Sequence, residues 1–172
     1  MTFGIEIFIT EIIGIIAFAI SGAIVGIKKH FDIFGIIVLG VITAVGGGAL
    51  RDITLGIIPP TMFKNPIYVV VAFMTSCVTF GAAAIVRAKF NKNKQFFVEV
   101  VNFFDAIGLG VFAVTGTNTA IVNGFEHNAF LAIFVGVITG IGGGMVRDVH
   151  AGKVPFVLFK EINASAAIDG AG

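Results

Sequence analysis

The stretch GVITAVGGGALRD, residues 40–52, returns at residues 136–148 as GVITGIGGGMVRD. The shift is 96 positions, and it holds downstream: Gly56 falls on Gly152, Pro59 on Pro155, Phe63 on Phe159 and Lys64 on Lys160. Upstream the shift is 94. There AFAISG (17–22) falls on VFAVTG (111–116), and Glu11 falls on Asp105. One link has therefore gained two residues. A self-match of this length is read before any single element, because it sets the architecture. The chain is a duplication, with a first unit over 1–95 and a second over 96–172.

Composition places both units in a membrane. Of 172 residues, 57% are hydrophobic and 12% charged, and the mean hydropathy is +1.04. Soluble domains carry about twice that charge. A bilayer span needs ~20 apolar residues. Five windows meet this, at 3–27, 33–56, 66–86, 98–123 and 129–149, and a sixth opens near Pro155 and is broken at Asp169. The first window is not a cleaved leader: it lacks a basic start, carries Glu6 and Glu11, and runs too long. Each unit thus holds three spans. Three is odd, so the second unit enters the membrane upside down, as in transport proteins built from inverted repeats. The expected fold is all-α, a polytopic membrane helix bundle of two inverted three-helix repeats.

Charge orients it. If the spans alternate, the links 28–32, 87–97 and 150–154 share one side, with Lys28, Lys29, Arg87, Lys89, Lys92, Lys94 and Lys153. The opposite links, 57–65 and 124–128, hold only Lys64 as a base. The positive-inside rule then places the first set of links in the cytoplasm and the N-terminus outside. The net charge of +1 gives no field for nucleic acid. The single Cys77 and the scattered His30, His127 and His150 form no metal-ligand spacing. No cofactor or metal is expected. The expected partners are membrane lipid and permeating ions. The 19 Phe residues read as core and lipid-facing filling.

The doubled motif holds the candidate site. Gly46, Gly47, Gly48 and their counterparts Gly142, Gly143, Gly144 are costly in a helix, each by ~1 kcal/mol against alanine. They predict a kink or unwound turn in the second and fifth spans, tolerated only where it is buried or lines a wet cavity. Close helix packing is the competing reading, and the two can coexist. Arg51 and Arg147 follow at equal distance, one near each mouth after inversion, with Asp52 and Asp148 beside them. Ionisable residues inside a span are functional candidates, against a reading as interfacial anchors. A local Arg–Asp pair is disfavoured, since adjacent helix residues do not face each other. Glu11 and Asp105 are a further repeat-related pair, as are Lys64 and Lys160. Thr43 and Thr139 precede the glycines and can face a pathway or bond back to their own backbone.

GGGALRDITLG and GGGMVRDVHAG, each followed by Pro and an FK pair, resemble the bacterial and archaeal relatives of the trimeric intracellular cation channels. The same sequence family also carries the label of a glycine transporter domain. The resemblance spans essentially the whole chain. It implies inverted three-helix repeats, a seventh helix, a homotrimer, and a hydrophilic pore in each protomer that conducts potassium and sodium between kinked second and fifth helices. Matched motif to motif, the kinks fall at Gly46–Gly48 and Gly142–Gly144, with Arg51 and Arg147 near the pore. The sequence departs from the family at EINASAAIDGAG, where the sixth span is cut short and no seventh follows. A fragment or an early stop is the expectation, and it bears on assembly of the trimer.

A monovalent cation channel is the leading reading. A secondary transporter of a small zwitterion such as glycine is the alternative, because broken helices serve either role. A purely structural membrane protein is disfavoured by the duplicated intramembrane charges. An enzyme is not expected, for lack of a nucleophile–base set.

Overall fold

A computed structural model describes residues 2–90, 94–152 and 154–155, and of residues 2–4, 86–90, 94 and 95 only the backbone. Lys153, Lys160, Phe159 and the sixth span expected beyond Pro155 lie outside the described residues, as does part of the basic 87–97 link.

The described residues form helices and no strand: α1 (Thr2–Lys28), α2 (Ile33–Thr54), the single-turn α3 (Thr61–Lys64), α4 (Ile67–Phe90), α5 (Lys94–Ala120) and α6 (Ala129–His150). The five long helices each contain an apolar stretch able to cross a bilayer: Ile5–Lys28, Ile33–Thr54, Ile67–Ile85, Phe96–Phe125 and Ala129–His150. These agree closely with the windows read from hydropathy. The protein is an integral membrane protein.

The motif helices α2 and α6 begin and end at residues 96 apart. Asp32 caps α2, its Oδ1 accepting from the Gly35 N–H at 2.7 Å, and Asn128 caps α6, its Oδ1 accepting from Leu131 at 3.0 Å. Both side chains satisfy an otherwise orphaned first-turn donor. At the far end Gly56 (φ +70°) and Gly152 (φ +64°) take the left-handed conformation that stops a helix. The two extra residues of the second unit also have a structural place. After α5 the backbone widens into a π-helical turn, Ile121–Phe125, that ends around Gly124 at φ +91°.

Packing repeats the pattern. α1 packs on α2 and α5 on α6, while α2 crosses α6 and α1 crosses α5; α4 lies against α1 and α2. The central cluster joins Ile15, Phe18, Ala19, Ala44, Tyr68, Ala72 and Phe112. Small residues sit at the crossings, because lipid supplies no hydrophobic drive between helices and close contact must. Outward faces carry large apolar side chains, among them Phe34, Val78, Phe103, Phe130 and Ile133. A bilayer covers such faces at no cost.

The glycine triplets are helical rather than unwound. Residues 46–48 and 142–144 lie within continuous α-helix, and neither α2 nor α6 contains the unwound turn expected of the second and fifth spans. The close-packing reading accounts for their contacts. A methyl at Gly47 would strike the carbonyl oxygen of Thr139, and one at Gly143 that of Thr43. The absent side chains let two backbones touch, and an intact helix keeps its hydrogen bonds paired in lipid.

Candidate functional site

Two ionic clusters flank the α2–α6 crossing. In the first, Arg51 reaches from the last turn of α2 to α1, where Nη1 donates to Glu11 Oε1 at 2.6 Å. Its Nε donates to Asp52 Oδ1 at 2.9 Å. The remaining carboxylate oxygens also find donors: Tyr68 OH gives a 2.8 Å hydrogen bond to Glu11 Oε2, and the Thr61 N–H a 2.6 Å bond to Asp52 Oδ2. In the second, Arg147 Nη1 donates to both oxygens of Asp105, at 2.6 and 2.7 Å, and to Ser21 Oγ. Its Nε donates to Asp148 Oδ1 at 2.9 Å, and Ser21 donates to Asp105 Oδ1 at 2.6 Å.

Both clusters are buried, Arg51 at 4% exposure and Arg147 at 3%. Neither arginine is an interfacial anchor with its head in water. The bond between adjacent residues Arg51 and Asp52, disfavoured from helix geometry, is present in both units. The arginine stem is long enough for Nε to reach the neighbouring carboxylate while Nη1 crosses to the next helix. Glu11 and Asp105, secondary candidates in the sequence, are the direct counter-ions. Among the described residues each cluster sets two carboxylates against one guanidinium.

The other candidates fall elsewhere. Thr43 and Thr139 are fully buried and donate back to Leu39 and Val135 carbonyls, at 2.6 and 2.5 Å. Each hydroxyl rests against a glycine of the first helix of its own unit, Gly22 or Gly116. Lys64 is exposed on α3.

Each cluster borders a recess, and the repeat relates them. The first has a free volume of about 30 Å³ among Glu11, Val45, Gly48, Arg51, Tyr68 and Phe112. That is room for a water or two, at ~10–15 Å³ each. The second, about 350 Å³, is bordered among the described residues by Asp105, Leu109, Ile141, Gly144, Arg147 and Phe18. A neighbouring space of about 410 Å³ reaches Lys28, Phe97 and Asn102. The Lys28 ammonium lies 5.2 Å from the Phe97 ring centre.

Sequence reasoning passed over Ser21, Tyr68, Phe18 and Phe112. Ser21 and Thr115 are hydroxyls aligned by the repeat, and Tyr68 is the only tyrosine, but nothing in one chain shows that either meets a carboxylate across helices.

Known proteins resemble this chain in sequence and fold. A family model described as Glycine transporter matches residues 8–84 and 102–172. The UPF0126 inner membrane protein YadS of Escherichia coli K12 is 42% identical over 160 residues, covering 93% of this chain and 73% of that protein. A solved TRIC trimeric intracellular cation channel orthologue from Rhodobacter sphaeroides matches with a TM-score of 0.80 at 33% identity, over 94% of this chain and 78% of its own. A prokaryotic TRIC channel crystallised in 0.5 M KCl gives a TM-score of 0.81 at 36% identity, over 95% and 79%.

Proposed function

The chain belongs to the family of the TRIC channels and UPF0126 membrane proteins, and from that membership we propose that it is a cation channel, conducting potassium and sodium along a path within each protomer. The observation that carries the sign of the ion is the first cluster, where Glu11 and Asp52 stand against the single guanidinium of Arg51. A recess with excess negative charge and low-dielectric walls concentrates cations and repels anions. The path runs from the Glu11–Arg51 recess to the Asp105–Arg147 recess, past the α2–α6 crossing. Arg51 with Asp52 and Arg147 with Asp148 stand at its two mouths, and Glu11 and Asp105 set the local charge.

The two units, 1–95 and 96–172, are inverted copies about a pseudo-twofold axis, with the N-terminus outside. The matched ends of α2 and α6 and the paired clusters support this reading. The assembly is a homotrimer, as the solved relative's description as a trimeric channel suggests.

The family description as a glycine transporter supports a second reading, uptake of a small zwitterion. Flux through the purified chain in liposomes separates the two. A potassium gradient should dissipate through protein-containing vesicles at a rate unaffected by added glycine. Saturable glycine uptake without potassium flux would replace the channel by the transporter.

A further inference from the structure

We propose that Phe18 and Phe112 form the gate of this path, an apolar two-ring plug between the recesses. The proposal rests on the channel reading above. The rings stack with centroids 5.4 Å apart at an interplanar angle of 27°. They are exposed by only 2% and 3%. Phe112 borders the Glu11–Arg51 recess and Phe18 the Asp105–Arg147 recess. Each ring from one unit therefore walls the recess of the other, and their contact is the partition between the two.

The pair is also placed by the repeat. Phe18 and Phe112 lie 94 positions apart, as do Gly14 and Gly108. A methyl at Gly14 would come within 3.0 Å of the Phe112 ring, and one at Gly108 within 2.5 Å of the Phe18 ring. A methyl at Gly143 would come within 3.0 Å of Phe18 as well. The rings thus lie on surfaces cleared of side chains on neighbouring helices. Ordinary core filling needs a ring to fill space. It does not need two rings related by the repeat to meet between two charged recesses. Hydrated ions do not cross an apolar constriction of this kind, because the water column breaks there. Parting the rings joins the recesses into one wet path.

The test is potassium flux through liposomes holding the full chain, with Phe18→Ala, Phe112→Ala and the double variant, alongside the milder Phe18→Leu and Phe112→Leu. Folded protein is checked by gel filtration in detergent. The double alanine variant should raise potassium flux about tenfold or more, the change that a barrier lower by ~1.4 kcal/mol produces. The leucine variants should give a smaller rise and remain folded where the alanine variants do not. Folded variants with the wild-type flux would overturn the gate and leave the channel standing. Folded wild type and folded ring variants that all fail to pass potassium would overturn the channel reading and the gate with it.

Discussion

Alanine at Gly47 or Gly143 is expected to abolish folded protein, while alanine at Gly48 or Gly144 is expected to leave it intact or stabilise it. The six glycines look alike in the sequence, but their surroundings differ. At Gly47 the added methyl meets the Thr139 carbonyl oxygen, and at Gly143 the Thr43 carbonyl oxygen and the Phe18 ring. A carbonyl inside a helix cannot step aside as a side chain can, so α2 and α6 would have to separate. Overpacking costs ~1–3 kcal/mol where side chains can adjust; a backbone collision lies at or above the top of that range. At Gly48 and Gly144 the nearest atom is the Nη2 of the helix's own arginine, 4.0 Å away. Alanine there gains up to ~1 kcal/mol of helix propensity. Gly46 has ordinary contacts at 3.8 Å and should tolerate the change. Gly142 is intermediate, since its methyl would meet the movable tip of Leu50 at 2.8 Å. Yield and thermal unfolding of the detergent-solubilised variants measure this. A Gly47→Ala protein as stable as Gly48→Ala would remove the close crossing from the account.

Removing either arginine alone should cost more than removing it together with its partner. Arg51→Ala leaves Glu11 and Asp52 buried without their guanidinium, and Arg147→Ala takes from Asp105 and Asp148 the guanidinium that they share. Breaking a buried ion pair from one side costs ~3–5 kcal/mol, whereas replacing both partners by apolar groups is often neutral. Folded yield should therefore collapse for Arg51→Ala and recover in part when Glu11→Gln is added to Arg51→Met. Lysine should rescue poorly, because the guanidinium of Arg51 uses Nε and Nη1 toward two different carboxylates and an ammonium is a single point. An Arg51→Ala protein with full yield and altered current would show that the charge acts on ions and carries little of the fold.

Much of the fold was legible because its signals are local or periodic. Five apolar windows gave the long helices, and the 96-residue shift predicted that α2 and α6 would match from cap to stop. The repeat singled out Glu11 and Asp105 as a pair, though not as partners of the arginines. What failed, or was missed, depends on contact between distant segments. Helix propensity describes a glycine in its own helix, so the triplets read as breaks. The crossing partner that makes them tight contacts is another helix. Tyr68 and Ser21 complete the clusters from helices other than those carrying the arginines. Phe18 and Phe112 are two among 19 phenylalanines, and their burial, which no local signal reports, distinguishes them from lipid-facing rings.

Single-channel recording of the 172-residue chain in a planar bilayer, with potassium on both sides and glycine added afterwards, tests the central claim most directly. The account predicts unitary currents that reverse at the potassium equilibrium potential under a gradient, carried by cations over chloride, and unchanged by glycine. A folded protein that gives no unitary current, yet takes up glycine saturably in vesicles, would contradict it.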